Sequence, residues 1–336
     1  VRREGCGAPN PQERLIKFGQ LLPPMRLSIL VVSRSADLLS AMLSSIKEAL
    51  HLPGREVEIL CSWNGSAEEE ALIENSSGYG FFIANRTAYH FASNMNQLAH
   101  HANGEVLAFV NDDVILDKNS LDSGLSCLMD DVSTLSVGGL LRKPDGRLQH
   151  CGMGFDYQHM PYHIAEGMAN AATLISGLPA YEVSCVTGAV MLVRKSTFNQ
   201  QPFDESYIRC GEDVQLNLDL REKLKGKVML CPGMSGVHKE SATRKKAGET
   251  GNSSEDLVRM KTRRRLFLEK ATPEQLRAEL SITTKERLFT KEAMDEERSH
   301  LLQLEQERDH WKQQTHALQL ARLKLEQKLK QSKQGA

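Results

Sequence analysis

Leu107-Ala108-Phe109-Val110-Asn111-Asp112-Asp113 is an apolar run that stops abruptly at two carboxylates. With Glu105 and Val106 ahead of it, the stretch Glu105–Val110 reads as a strand covered on both faces, which has no reason to alternate polar with apolar. Upstream, Leu27–Ser33 is a similar uninterrupted run, and Ser35 stands where it can cap a helix continuing to about Leu50. Val57–Ser62 follows as a strand, Ser66–Glu74 as a short helix, Gly80–Ala84 as a strand and Phe91–Ala102 as the helix leading into Glu105. Strands alternating with helices predict an α/β fold with a Rossmann-like, mostly parallel sheet flanked by helices. Ligands of such sheets bind beyond the carboxyl ends of the strands, where Asp112 and Asp113 lie.

After about residue 118 the alternation weakens, and Arg142-Lys143-Pro144-Asp145-Gly146-Arg147 is a turn between short apolar pieces. Strand Ala189–Arg194, helix Asp213–Lys225 and strand Lys227–Leu230 return the chain to the sheet. Three segments are expected: a tail or linker over 1–24 ending in Pro23-Pro24, a domain over 25–270, and a helical extension over 271–336. The extension lacks Gly until Gly335 and repeats Leu304, Trp311, Leu318 and Leu325 every seventh residue. Its companion positions, Arg308, Thr315, Arg322 and Leu329, are mostly polar. Two readings stay open: a coiled coil joining copies or pathway partners, and a helix that lays one stripe on the domain or on a neighbour.

Forty-two Lys and Arg against 43 Asp and Glu leave a net charge of −1, so nucleic acid is not expected as a partner. The seven cysteines show no C-x-x-C spacing and read as reduced thiols. No stretch reaches the roughly 18 apolar residues of a membrane span, and the first twenty residues lack the apolar core of a signal peptide. A cytoplasmic enzyme is expected. Lys261–Leu268 pairs cations with apolar residues, which suits contact with the cytoplasmic membrane face or a helix with its apolar side in the core.

Asp112-Asp113 has two readings. Acidic residues at a strand end commonly shape turns. They are also hard oxygen ligands, able to hold Mg²⁺ or Mn²⁺ against a diphosphate. Glu212-Asp213 opens an amphipathic helix carrying Val214, Leu216, Leu218 and Leu220, where acids complement the helix dipole. A carboxylate fixed there also suits a general base that deprotonates a hydroxyl. His238 follows a strand and a Pro-Gly turn, and its imidazole is a structural group or a metal ligand. Lys239, Arg244, Lys245 and Lys246 lie nearby as candidate phosphate partners.

In order, Leu27–Arg34, Asn64-Gly65-Ser66, Asn111-Asp112-Asp113, Asp145–His150, Val186-Thr187-Gly188-Ala189, Phe203-Asp204-Glu205, Gly211-Glu212-Asp213 and His238–Ala242 closely resemble the inverting family 2 glycosyltransferases of the GT-A fold. The resemblance is strongest to the branch that builds O-antigen, rhamnan and galactofuranan chains, and it covers Met25 to Lys270. It implies a sugar moved from a UDP- or dTDP-linked donor to a hydroxyl of a glycan or lipid-linked glycan. By the same resemblance Asp113 and His238 hold Mn²⁺ or Mg²⁺, Asp112 contacts the ribose or assists the metal, and Asp213 is the base. Glu212 would contact a sugar beside it, and Thr187-Gly188-Ala189 would line the donor-sugar pocket.

Ser33 and Arg34 form a polar lip where the family holds the nucleotide. The chain departs from the family at Trp63, where an acidic residue usually precedes Asn64-Gly65-Ser66. Trp63 then stacks on a base or fills space. Thr243–Glu255 is expected to close over the donor. A nucleotidyltransferase is disfavoured because Ser33-Arg34-Ser35-Ala36-Asp37 has no Gly-rich phosphate loop. The alternative is an inactive glycosyltransferase-like scaffold acting through its helical tail.

Overall fold

A computed structural model describes residues 26–169, 171–239 and 253–334, with side chains described as far as 326. The expected tail over 1–24, Arg244 with its neighbouring lysines, and most of the closing loop lie outside these residues.

The strands are β1 (Leu27–Ser33), β2 (Val57–Trp63), β3 (Gly80–Asn85), β4 (Val106–Val110), β5 (Val114–Leu116), β6 (Thr134–Arg142), β7 (Leu148–His150), β8 (Met153–Phe155), β9 (Pro161–His163), β10 (Tyr181–Glu182), β11 (Val190–Arg194) and β12 (Lys227–His238). Ten of them form one sheet, in the order β3-β2-β1-β4-β11-β6-β12-β10, with β5 on β12 and β7 on β6. Strands β8 and β9 make a separate antiparallel hairpin. The half from β3 to β4 is parallel, as expected. Beyond it, β11 runs antiparallel to both β4 and β6, so the second half is mixed.

All seven residues of β1 are buried because each face has its own core. Leu27, Ile29 and Val31 join Leu39, Met42, Leu43 and Ile46 of helix α1 (Ala36–Ala49). Short helix α2 spans Ala67–Glu70 and helix α3 spans Phe91–His101. Leu30 and Val32 join Met95, Leu98 and Ala99 of α3 on the other face. The period of two along a strand turns one apolar run into two half-cores. Ser35 occupies the N-cap of α1, but its side chain makes no capping bond. Glu69 Oε2 accepts from the Ala36 amide at 3.2 Å instead. A Pro-Gly turn does not end the last strand: β12 runs on to His238, and its register against β6 jumps between Cys231 and Ser235, where Pro232 and Gly233 form a bulge.

The remaining helices are α4 (Ser120–Asp130), α5 (Ala171–Ser176), α6 (Lys195–Gln200), α7 (Glu212–Lys223), α8 (Ser254–Lys270) and α9 (Pro273–Gln334). Helix α7 is not amphipathic as expected: Val214 and Leu216 through Arg221 are all buried, since the sheet covers one side and α8 and α9 the other. Its charges are met from that second layer. Arg263 of α8 pairs with Asp219 at 2.7 Å and Glu222 at 2.6 Å. Glu279 of α9 bridges Arg221 and Arg264. Within Lys261–Leu268, Arg263, Arg264 and Phe267 are inside, while Arg265 is exposed and Lys261, Leu266 and Leu268 are half-buried.

Helix α9 has two parts. Glu279, Ile282 and Ala293 are buried against the domain. Every residue from 298 to 326 is exposed, Leu304, Trp311, Leu318 and Leu325 included. Among the described residues no helix is long and apolar enough to cross a membrane.

Candidate functional site

Strands β1 and β4 run parallel, with Leu30 beside Phe109, so their carboxyl ends open onto one rim. A cavity of about 400 Å³ lies there. Ser33 ends β1 and donates its hydroxyl to Asp112 Oδ2 at 2.6 Å. Arg34, next along, stacks over the Tyr89 ring at 5.7 Å, and both line the cavity. The Asn111 amide donates to Ala189 O at 2.9 Å, which brings the Thr187-Gly188-Ala189 loop against the end of β4.

Asp113 and His238 meet because β5 pairs with β12 antiparallel, placing His238 opposite Val114. His238 Nε2 lies 3.0 Å from Asp113 Oδ1. That oxygen is buried and has no aligned hydrogen-bond donor, so the two atoms are at ion-pair distance without a hydrogen bond between them. A buried carboxylate oxygen lacking a donor, beside an imidazole nitrogen, is a donor set that fits Mn²⁺ or Mg²⁺. Among the described residues no three His, Cys, Asp or Glu side chains converge as a complete metal cage. The remaining coordination positions would fall to water and ligand oxygens.

Asp213 is held from two sides. Gly211, at φ +106°, caps α7 in the left-handed region, and a Cβ there would sit 2.7 Å from Met260. Asp213 Oδ1 accepts from the Val214 amide at 2.8 Å and Oδ2 from the Gly188 amide at 2.9 Å. Burial raises the Asp213 pKa above the ordinary carboxylate value, and the two amides and His163 only partly offset it. This differs from the simple expectation of an acid kept ionised by a helix end: desolvation outweighs the amides. A raised pKa brings a general base closer to neutral working pH.

His150 is fully buried, and burial first, then His163 and His238, pushes its pKa well below the usual histidine value. Neutral His150 accepts the Thr187 amide at Nε2, 3.3 Å away. Its proton is therefore on Nδ1, which donates to His163 Nδ1 at 2.8 Å. Gln149, 5% exposed, lines the cavity with a buried Oε1 that no donor reaches.

Of the residues singled out in the sequence, Ser33, Arg34, Asp112, Asp113, Thr187, Gly188, Glu212, Asp213 and His238 line this one cavity. Trp63 and Asn64 do not. Trp63 is 2% exposed, packs in the core and donates Nε1 to Ser66 O at 3.0 Å. Its ring lies under Gly65, where a Cβ would meet it at 2.5 Å. Trp63 fills space in the core, outside this cavity. Asn64 donates its side-chain amide to Thr87 O. Tyr89, Tyr162, His163 and Arg209 also line the cavity. No motif marked them; only the β8–β9 register, with Met153 opposite His163, brings His163 to the site.

Comparison with known proteins gives three findings. Residues 28–151 match the family model described as Glycosyl transferase family 2, a span that includes Asp112 and Asp113 and ends before Asp213 and His238. The chain is similar to the O-antigen biosynthesis protein RfbC of Myxococcus xanthus, 27% identical over 237 residues, which cover 66% of this chain and 18% of that protein. The chain thus spans about a fifth of that relative's length. Among solved structures it resembles S. aureus TarS 1-349 in complex with UDP, with TM-score 0.52, 14% identity, and coverage of 75% of this chain and 68% of that one. It also resembles the mannosyltransferase PcManGT of Pyrobaculum calidifontis in complex with GDP-Man and Mn²⁺, with TM-score 0.48, 14% identity, and coverage of 81% and 79%.

Proposed function

Since this chain carries a family 2 glycosyltransferase domain with the GT-A fold, we propose that it is a metal-dependent inverting enzyme transferring a hexosyl or deoxyhexosyl group from a UDP- or dTDP-linked donor to a glycan or lipid-linked glycan hydroxyl. The observation that carries this reading is that Asp213, with its raised pKa, shares one cavity with Asp112, Asp113 and His238. A base and an anion-handling end are what displacement of a diphosphate by a sugar hydroxyl requires.

Asp113 and His238 would hold the cation, whose positive charge would stabilise the departing diphosphate. Asp112, locked by Ser33, and Arg34 with Tyr89 would receive the nucleotide. The acceptor oxygen bonds to the anomeric carbon as the bond from that carbon to the diphosphate oxygen breaks. The electron pair leaves with the diphosphate, and the acceptor proton passes to Asp213. Attack opposite the leaving group inverts the anomeric centre. Gln149 Oε1 would take a sugar hydroxyl, the donor it lacks in the free chain. The RfbC likeness supports polysaccharide synthesis as the setting.

The deciding experiment is calorimetric binding of UDP, dTDP, GDP and CDP, with and without Mn²⁺, to the full chain and to Asp113→Ala. Metal-dependent binding of one nucleotide, lost in the variant, is the expected result. Absence of binding to all four would overturn the reading and favour an inactive scaffold.

A further inference from the structure

The acceptor hydroxyl has to come within hydrogen-bond reach of Asp213, so the acceptor enters over the cavity wall beside that carboxylate. The β8–β9 hairpin makes this wall. Met153 bridges to Cys185, and Cys185 Sγ contacts Val214 O at 3.9 Å, tying the hairpin to the start of α7. His163 of β9 acts electrostatically on Asp213.

Tyr162 is the large side chain this wall offers. It lines the cavity, is 43% exposed, and pairs with Gly154 across the hairpin. The approach is close: a Cβ on Gly154 would meet Tyr162 Cζ and hydroxyl oxygen, and Glu286 Oε1, each at 2.7 Å. Glu286 belongs to α9 and accepts the Tyr162 hydroxyl. Burial, then the bond to Glu286, raises the Tyr162 pKa, so the phenol keeps its proton and its donor stays committed to Glu286. What remains for a ligand is the ring face. Met160, two residues before Tyr162, also lines the cavity.

An electron-rich ring face suits the apolar C–H face of a sugar ring, whose hydroxyls then point sideways to polar partners. We propose that Tyr162 is the acceptor platform, stacking on a neutral sugar ring in the cavity it shares with Asp213, and that Glu286 of the C-terminal helix is the positioning residue that sets its angle. This rests on the glycosyltransferase reading and narrows the acceptor to one whose receiving end is a neutral sugar ring. It also makes the root of α9 part of the acceptor site.

The test is saturation-transfer NMR on the full chain with Mg²⁺, UDP or whichever nucleotide binds, and a panel of methyl glycosides (glucose, galactose, mannose, rhamnose and N-acetylglucosamine). Saturation should reach the ring C–H protons of at least one glycoside. Tyr162→Leu and Tyr162→Ala should weaken that binding about tenfold, Glu286→Ala severalfold, and Glu286→Gln, which still offers an acceptor oxygen, little. Nucleotide affinity should stay unchanged in all four, which a general structural defect would not allow. Unaltered glycoside binding in Tyr162→Leu and Tyr162→Ala would overturn the proposal, as would no glycoside signal from wild type with nucleotide bound. Wild type failing to bind any nucleotide would instead count against the glycosyltransferase reading.

Discussion

His238 Nε2 stands 3.0 Å from Asp113 Oδ1, across the strand pairing that sets His238 opposite Val114. Two donors from distant parts of the chain are thus adjacent before any ligand arrives. We expect Mn²⁺ to bind weakly to the free chain and at least tenfold more tightly with the nucleotide present, whose oxygens complete the coordination. Electron paramagnetic resonance of Mn²⁺ reads both states. His238→Ala should abolish the nucleotide-dependent gain, and retention of that gain would remove His238 from the site.

Asp213→Asn should lower transfer by roughly 10² to 10⁴ while nucleotide affinity holds. Burial raises the Asp213 pKa, and the ionised form is the active base, so kcat should climb with pH through a value above the ordinary 3.8 and then level. A rate already level from that value upward would contradict the assignment.

Gln149 Oε1 is a buried acceptor without a donor. Such an atom costs about 1–3 kcal/mol in the free protein. Gln149→Leu should therefore raise Tm by a few degrees while weakening the sugar nucleotide relative to the bare nucleotide. Calorimetry with both ligands separates the effects, and equal weakening of the two would place Gln149 away from the sugar.

Trp63→Phe tests the space-filling role. Loss of buried volume and of the bond to Ser66 should destabilise the fold by about 1–3 kcal/mol in denaturant titration. Nucleotide affinity should change less than twofold, whereas a base-stacking tryptophan would show the reverse pattern.

Glu279 couples α9 to the domain through Arg221 and Arg264. Burial opposes its ionisation, but the two guanidiniums outweigh it and hold the pKa below 4.5. Its contribution is therefore present above pH 4.5 and lost as pH falls through the lower folded value. Glu279→Ala should cost about 3–5 kcal/mol by leaving two buried cations unpaired. Truncation at 270 should unfold or aggregate the protein, whereas truncation at 297 should leave its Tm within a few degrees. Equal Tm after both truncations would show that 273–297 is dispensable.

The parallel half of the fold was legible because β1 and β4 are covered on both faces and read as plain apolar runs. Asp112, Asp113, Asp213 and His238 were legible because each ends or begins such an element. The β8–β9 wall of the cavity was not. Tyr162 and His163 reach the cavity only through the hairpin register, and Glu286 reaches Tyr162 from 124 residues away. Trp63 left two readings open because a departure from a family pattern carries no sign of which way the side chain turns; the close approach of Gly65 supplies that sign. The buried charges of α7 were equally silent, since their partners lie on α8 and α9.

The long helix acts as a ruler. At 1.5 Å per residue, Trp311 lies about 37 Å along the axis from Glu286, and the interval is fixed by backbone hydrogen bonds rather than by a slack linker. Any surface that grips the outer stretch is thereby held at a set distance and bearing from the cavity that Asp213 and His238 line.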